Sequence, residues 1–313
     1  MNAAQRAVVF AYHNVGVRGL SALLALGVEV PLVVTHEDDP GERVWFGSVR
    51  ELCLRHGIPF ITPADPNAAE VVERVRGAGP DWIFSFYYRL MLKGDLLGVP
   101  RRGAYNLHGS LLPKYRGRVP VNWAVLYGER ETGASLHRME VKPDAGALVD
   151  QEAVAILPND TAHEVFQKVV CAAEALLLRA VPRMLEGAHR ETPLDLAAGS
   201  YFGGRKPEDG RIDWSRPAWE VHNLIRAVAP PYPGAFTDLG AHRLQLLGSY
   251  FRGDIAGGDG TPRLYWADGR CYADCADGGR ILITRLASDG TDLERQAFSS
   301  LLGSDTISLP TLT

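Results

Sequence analysis

Three observations in the sequence predict an α/β fold with a mostly parallel sheet. Ala7–Tyr12 is a short apolar run rich in β-branched residues, which is typical of a buried central strand. Strand-like and helix-like segments then alternate, as in a parallel sheet with right-handed crossovers. After Gly234 the chain holds only short strand-like runs separated by turns, which favours a small barrel. Together these predict a Rossmann-like sheet with helices on both faces, followed by a small β-barrel domain.

The alternation can be followed along the chain. A loop at His13–Gly16 leads into an amphipathic helix that ends near Gly27. The further predicted strands are Val28–Thr35, Pro59–Thr62, Trp82–Phe86, a run ending in Gly103–Tyr105, Thr132–Val141 and Leu148–Ile156, and the helices are Val44–His56, Asn67–Arg76 and Pro120–Tyr127. Thr161–Glu164 is a capping box that opens a long helix toward Gly187, kinked or ended by Pro182.

Composition divides the chain into a first domain over residues 1–187, a polar, Gly/Pro-rich linker over 188–213 and a small C-terminal domain over 214–313. The last domain opens with a helix at Trp214–Val228, which Pro230–Gly234 ends. Its predicted strands are Ala235–Thr237, Arg243–Leu247, Leu264–Trp266 and Ile281–Leu286.

Charge and cysteine usage narrow the classes of function. The 313 residues carry a net charge of −4, which gives no support for a nucleic-acid partner. The four cysteines form no disulfide framework and no zinc set, so we expect a reducing compartment and no metal. No signal peptide or bilayer-spanning run is present. These features predict a cytoplasmic protein without membrane insertion.

The first loop does not carry a dinucleotide fingerprint. A Gly-x-Gly-x-x-Gly site needs three glycines, and only Gly16 and Gly19 are available here. In such sheets the ligand still binds beyond the carboxyl ends of the strands. Asn106 and His108 follow a predicted strand and, two residues apart, share one face of it. We therefore expect the site at this strand end.

The segment Asn106–Arg118 carries further polar groups after the strand. Lys114, Arg116 and Arg118 crowd a loop stiffened by Pro113, so an anionic ligand is plausible nearby. The alternative interpretation is a polar strand end followed by a solvated basic turn. Ser110 lacks a Gly-x-Ser-x-Gly elbow and is interpreted as a loop hydroxyl, and His137 as a satisfied histidine in a strand.

Three motifs, Asn-x-His at 106–108, Ser-Leu-Leu-Pro-x-x-Arg-Gly at 110–117 and Asp-Ala-Gly at 144–146, resemble those of the folate-dependent formyltransferases. The resemblance implies formyl transfer from N10-formyltetrahydrofolate to an amine, and an OB-like C-terminal domain. It implies His108 as the acid/base, Asn106 as the oxyanion stabiliser and Asp144 as the group that raises the pKa of His108. A histidine, an amide donor and a carboxylate suit a reaction through a tetrahedral oxyanion. Without the resemblance, Asp144 would be a turn-capping aspartate.

By resemblance the folate co-substrate would lie along the residues Leu90, Met91, Leu92, Arg118, Glu140, Val141, Lys142, Pro143 and Asp144. The alternative for residues 90–92 is a place in the core. Apolar residues at strand ends commonly line pockets as well, so the two interpretations are compatible.

The acceptor amine is a finer question. The segments 11–13, 35–42 and 84–89 resemble the formyltransferase half of the bifunctional polymyxin-resistance enzymes, which act on UDP-4-amino-4-deoxy-L-arabinose in lipid A modification. Those enzymes continue into a decarboxylase domain, so we expect decarboxylation on a separate partner chain. A dTDP-linked amino sugar is an alternative acceptor, and a homo-oligomer is possible.

Two further alternatives concern function more broadly. Methionyl-tRNA formyltransferase has the same two-domain build, but it would be expected to carry a basic C-terminal domain. From Tyr201 onward this chain has 12 Lys and Arg against 14 Asp and Glu, which disfavours tRNA. A folate- or nucleotide-binding protein without turnover would not need Asn106, His108 and Asp144 together.

Overall fold

The computed structural model describes residues 5–39, 41, 44–253 and 257–311. Pro40 and Glu42 of the motif at 35–42 lie outside this range. The helices are α1 (His13–Ala25), α2 (Val49–His56), α3 (Ala69–Gly77), α4 (Gly94–Leu97), α5 (Pro120–Leu126), α6 (Ala162–Leu185), α7 (Ala218–Ala227) and α8 (Arg295–Leu302).

The strands fall into two large sheets and one short pair within the described residues. The first sheet contains β1 (Arg6–Ala11), β2 (Glu29–Val34), β3 (Phe60–Ile61), β4 (Trp82–Phe86), β5 (Gly103–His108), β7 (Glu131–Arg138) and β8 (Leu148–Ala155), and the short pair is β6 (Arg116–Gly117) with β9 (Tyr201–Phe202). The second large sheet contains β10 (Ala235–Leu239), β11 (His242–Tyr250), β12 (Arg263–Ala267), β13 (Arg270–Asp274), β14 (Arg280–Ser288), β15 (Thr291–Asp292) and β16 (Thr306–Ser308).

The first sheet has the order β3-β2-β1-β4-β5-β7-β8. Strands β3, β2, β1, β4 and β5 pair in parallel, and β7 pairs antiparallel to β5. Its two faces are covered by different helices, because successive side chains of a strand point to opposite sides. Phe10 and Ile83 pack with Val72 of α3, whereas Phe86 lies against Gly19 of α1.

Local sequence signals account for several element boundaries. Ser48 caps α2 by accepting the Glu51 N–H, and Gly57 ends it in the left-handed conformation. The predicted capping box is present at α6: Glu164 Oε2 accepts the Thr161 N–H, and Thr161 Oγ1 accepts the Glu164 N–H. Helix α6 continues past Pro182 to Leu185.

Several predicted boundaries differ from the observed ones. The predicted loop at 13–16 is already helical, since α1 begins at His13, a residue with φ of 65°. Helix α2 begins at Val49 and not at Val44, and strand β7 ends at Arg138 and not at Val141. The segment predicted as a linker contains β9 and two short 3₁₀ turns.

The chain forms two compact units. One contains Met1–Pro120, Thr132–Val154 and Gln167–Gly203, and the other contains Val121–Glu131, Ala155–Phe166 and Gly204–Thr313. In the second unit an antiparallel sheet of order β10-β11-β14-β13-β12-β16, with β15 on β14, curls into a half-barrel around Trp214 and Phe298. This architecture confirms the predicted fold class.

Candidate active site

The candidate active site is built on the carboxyl end of β5, where Asn106 and His108 lie on one face of the strand. Strand β5 lies inside the sheet, parallel to β4 and antiparallel to β7. The antiparallel register places His137 of β7 opposite Asn106. Asn106 Nδ2 lies 3.2 Å from His137 Nε2, so this cross-strand pair is in hydrogen-bonding contact.

Asp144 joins the two histidines from the turn after β7. Its Oδ1 lies 3.5 Å from His108 Nδ1 and 3.6 Å from His137 Nε2, and its Oδ2 accepts the Gly117 N–H at 2.9 Å. The residue has φ of 50°, in the left-handed region, where aspartate is more readily accepted than most residues. The structure thus brings Asn106, His108 and Asp144 together, and adds His137 to them.

Hydrogen bonding to the backbone fixes the tautomer of His108. Its Nε2 lies 2.8 Å from the Tyr115 carbonyl oxygen, and a carbonyl oxygen can only accept, so Nε2 carries a hydrogen. In the neutral ring the lone pair is then on Nδ1, on the side of Asp144. A proton taken up by His108 therefore arrives at Nδ1, beside a carboxylate.

Burial, more than charge, sets the pKa of His108. Desolvation of the fully buried ring lowers its pKa below the ordinary histidine value, and His137 adds to this, while Asp144 and the Tyr115 carbonyl act in the opposite direction. The contribution of Asp144 therefore has the predicted sign, but burial outweighs it, so the net pKa of His108 is lowered. The uncharged ring is ready to accept a proton.

Asp144 stays ionised although it is largely buried. Burial would raise its pKa, but His108, His137 and the hydrogen bond from the Gly117 N–H together hold the pKa well below the usual aspartate range. A fixed negative charge beside Nδ1 of His108 favours the imidazolium formed when that nitrogen gains a proton.

A set of side-chain bonds fixes the loop that follows His108. Ser135 Oγ donates to the Ser110 carbonyl at 2.6 Å and accepts the Leu112 N–H at 3.0 Å. Gln151 Nε2 donates both to Ser135 Oγ at 2.8 Å and to the Leu112 carbonyl at 2.9 Å. The Ser110 hydroxyl donates to the Lys114 carbonyl at 2.6 Å, which agrees with its interpretation as a loop hydroxyl. Ser135 and Gln151 belong to no sequence motif, so their role in holding this loop is visible only from their positions opposite it in the structure.

The segment Leu90–Leu92 follows the end of β4 and is partly a surface. Leu90 and Met91 are 40% and 52% exposed, whereas Leu92 is 5% exposed and belongs to the core. Asn67 holds the segment with both ends of its amide, donating to the Met91 carbonyl at 2.9 Å and accepting the Lys93 N–H at 2.7 Å. Leu90 and Met91 are therefore open to a ligand on a backbone that is held in place.

The remaining predicted folate residues lie on two exposed segments. Arg118 is exposed, and its N–H donates to the Phe202 carbonyl at 3.0 Å. Glu140, Val141 and Lys142 are exposed and Pro143 is half-buried, in the turn that presents Asp144. Of this second segment, Asp144 is the residue that reaches His108.

An aromatic cluster lies at the carboxyl ends of β1, β2 and β4. The ring of His13 stacks on Phe46 with centroids 3.9 Å apart, and the ring of His36 stacks on Tyr88 at 4.1 Å. His36 Nε2 accepts the Arg89 N–H at 3.1 Å, while burial and the Arg89 charge lower the pKa of His36 to about 4. The sequence segments that resemble the sugar-nucleotide enzymes contribute to this cluster.

Two family models match the chain. The model described as formyl transferase matches residues 20–181, and the model described as formyl transferase, C-terminal domain, matches residues 205–298. The chain belongs to the formyl transferase family. This confirms the predicted class of enzyme, a one-carbon group transferase.

Solved structures share the fold of this formyl transferase. An N-formyltransferase from Helicobacter canadensis, in complex with folinic acid and dTDP-3-aminofucose, is 20% identical over 90% of this chain and 98% of its own, with a TM-score of 0.71. WlaRD, a sugar 3N-formyl transferase solved with dTDP and 5-N-formyl-THF, is 19% identical over 92% and 98%, with a TM-score of 0.72. HypX from Aquifex aeolicus with tetrahydrofolic acid is 18% identical, over 96% of this chain but 47% of its own, with a TM-score of 0.63.

Two further observations on the described part of the chain concern metal sites and membrane-spanning helices. No group of three or more His, Cys, Asp and Glu side chains is arranged to hold a metal ion there. None of its helices is both long and apolar enough to cross a membrane.

Proposed function

We propose that the protein transfers the formyl group of N10-formyltetrahydrofolate to the amino group of a nucleotide-linked amino sugar. The observation that carries the proposal is the ionised Asp144 set between His108 and His137, with the Asn106 amide alongside, in a chain of the formyl transferase family. A base, an oxyanion donor and a fixed charge are the parts that acyl transfer to an amine requires.

The reaction would proceed by attack of the neutral amine on the formyl carbon, forming a carbon–nitrogen bond and a tetrahedral oxyanion. The Asn106 amide has two N–H donors, so it can face His137 with one and the oxyanion with the other. His108 Nδ1 accepts the proton that the attacking amine loses, and Asp144 stabilises the resulting imidazolium. The same proton then goes to N10 of the folate as the old carbon–nitrogen bond breaks.

The folate donor is supported by relatives of the same fold, which were solved with folinic acid, 5-N-formyl-THF and tetrahydrofolic acid. We place it along the exposed Leu90 and Met91, beside Leu92, with Arg118 and the turn Glu140–Asp144 completing the surface. The guanidinium of Arg118 is suited to a carboxylate of the folate tail.

The preferred acceptor is UDP-4-amino-4-deoxy-L-arabinose, which would place the protein in lipid A modification and polymyxin resistance. This rests on the resemblance of segments 11–13, 35–42 and 84–89, which meet in the aromatic cluster. A dTDP-linked amino sugar is the second candidate, because two structures of the same fold were solved with dTDP-3-aminofucose and with dTDP. A separate decarboxylase chain and a homo-oligomer stay predictions.

The test is an acceptor panel with N10-formyltetrahydrofolate as donor, read by mass spectrometry. We expect formylation of the UDP-linked amino sugar, lower activity on dTDP-linked amino sugars and none on initiator methionyl-tRNA. The reaction should respond little to added salt, since a diphosphate releases far fewer counterions than a tRNA backbone. Formylated tRNA with an untouched sugar nucleotide would overturn the proposed acceptor class, and no transfer to any amine would overturn the proposed function.

A further inference from the structure

Tyr115 links the catalytic histidine to a distant part of the chain through its own backbone. Its carbonyl oxygen accepts the His108 Nε2 hydrogen at 2.8 Å, and its N–H donates to Ser200 Oγ at 2.8 Å. Tyr115 is buried and has φ of 55°, a left-handed conformation that is unfavourable for a residue with a bulky side chain. Such a conformation persists only where the surroundings impose it.

The surroundings that impose it come from the segment Ser200–Phe202. The Arg116 N–H donates to the Ser200 carbonyl and the Arg118 N–H donates to the Phe202 carbonyl, both at 3.0 Å. These two hydrogen bonds, one before and one after Gly117, pair β6 in parallel with β9. The ring of Tyr115 stacks on Phe202, with centroids 5.4 Å apart and planes at 17°.

Gly117 makes this close pairing possible and ties it to the carboxylate. A Cβ on Gly117 would lie 2.1 Å from the Phe202 carbonyl oxygen, and its φ of 98° also favours glycine. The N–H of the same glycine donates to Asp144 Oδ2. The segment Tyr115–Gly117 therefore presents a carbonyl to His108 and an N–H to Asp144, and the segment Ser200–Phe202 holds it by hydrogen bonds.

We infer that Ser200 is a positioning residue for catalysis, which acts through Tyr115 to hold the ring of His108. Its hydroxyl accepts the Tyr115 N–H and its carbonyl accepts the Arg116 N–H, so Ser200 holds the peptide groups on both sides of Tyr115. The second of these peptide groups carries the carbonyl that His108 meets. The role in turnover rests on the proposed formyl transfer, whereas the role in holding His108 does not. The proposal assigns a function in the active site to a segment that sequence alone marks as a linker.

Loss of the Ser200 hydroxyl should lower the pKa of His108. Ser200→Ala removes the acceptor of the Tyr115 N–H in a half-buried place, so the left-handed φ of Tyr115 is no longer held from its N-terminal side and the Tyr115 carbonyl shifts away from His108. That carbonyl favours the protonated ring, so its loss lowers the pKa of His108 further. The titratable groups facing His108 are Asp144 on the turn after β7 and His137 on β7, and neither is altered by the substitution.

The experiment is a pH titration of His108 followed by ¹⁵N NMR of histidine-labelled protein, with His108→Gln to assign the signal. The variants are Ser200→Ala, Ser200→Thr and Ser200→Val, of which the last two are equally branched and differ in the hydroxyl. Tyr201→Phe is the control, because Tyr201 is the next residue along the chain and its side chain is exposed. Thermal unfolding establishes that each variant is folded.

We expect Ser200→Ala and Ser200→Val to lower the pKa of His108 by roughly half a unit and kcat by about three- to tenfold, with KM for the donor nearly unchanged. Ser200→Thr and Tyr201→Phe should match the parent protein. A titration of His108 that is the same in Ser200→Ala as in the parent, or equal shifts in the Thr and Val variants, would overturn the inference. Because the titration needs no substrate, its result is independent of whether the protein proves to be a formyltransferase.

Discussion

At the scale of the residue, the site depends on one carboxylate that serves two imidazoles. One carboxylate oxygen of Asp144 lies near both His108 and His137, and the other accepts the Gly117 N–H. Both rings bind a backbone carbonyl with their far nitrogen, His108 at Tyr115 and His137 at Arg138. A carboxylate in this position stabilises the imidazolium that forms when a histidine takes up a proton, and it favours the ring nitrogen nearest to it as the site of that proton.

Asp144→Asn should move the acid limb of the kcat–pH profile to lower pH, by roughly one unit. Asp144 raises the pKa of His108 against the lowering effect of burial, so removing the charge leaves burial unopposed and the pKa falls further. The pH dependence of kcat measures this. The control is Asp95→Asn, an exposed aspartate on α4. An acid limb that does not move would assign Asp144 a purely structural role.

His137 shows what residue patterns could not reveal. Asn106 and His108 could be placed on one face from the period of a strand. For His137 the sequence indicates only a satisfied histidine in a strand. Its place in the site depends on β7 pairing antiparallel to β5 with Asn106 opposite His137. That register results from the order of strands in the sheet, and no local signal in residues 131–138 specifies it.

At the scale of the element, the segment after β4 is presented to solvent by contacts from a distant loop. Asn67 bonds the backbone at Met91 and Lys93 and so fixes the exposed side chains of Leu90 and Met91. A surface that is ordered before binding loses less entropy when a ligand arrives.

Asn67→Ala should raise KM for the formyl donor by about three- to tenfold with a smaller change in kcat, because two hydrogen bonds that order the proposed folate surface are lost. Steady-state kinetics with the donor varied measures this split. Glu70→Ala, an exposed change at the start of α3, is the matched control. If kcat falls while KM for the donor stays the same, this segment is not the folate surface.

The elements that could be predicted are those with a clear period. The central strands and the capping box of α6 follow from local patterns. The pairing of β6 with β9 does not, because each strand has two residues and the partners are 85 positions apart. Hydrogen bonds between such short segments are decided by the packing around them, and Ser200 could not be recognised as part of the site.

At the scale of the whole molecule, the fold class was predictable because alternation of strands and helices constrains a sheet strongly. The antiparallel character of β7 could not be read from its composition, and the half-barrel of the second unit also includes β13, β15 and β16, which were not predicted. The net charge of −4 is a property of the whole chain, and it favours a small acceptor over a nucleic acid.

The most direct test of the central claim is single-turnover formyl transfer by His108→Ala. The parent protein and the variant are each mixed with N10-formyltetrahydrofolate and UDP-4-amino-4-deoxy-L-arabinose, and donor binding is measured separately. His56→Ala, an exposed histidine on α2, serves as the control. We predict a rate roughly 10²–10⁴ times lower for His108→Ala, with donor binding and thermal unfolding preserved. Transfer at the rate of the parent protein would contradict the account, because the proton would then not pass through His108.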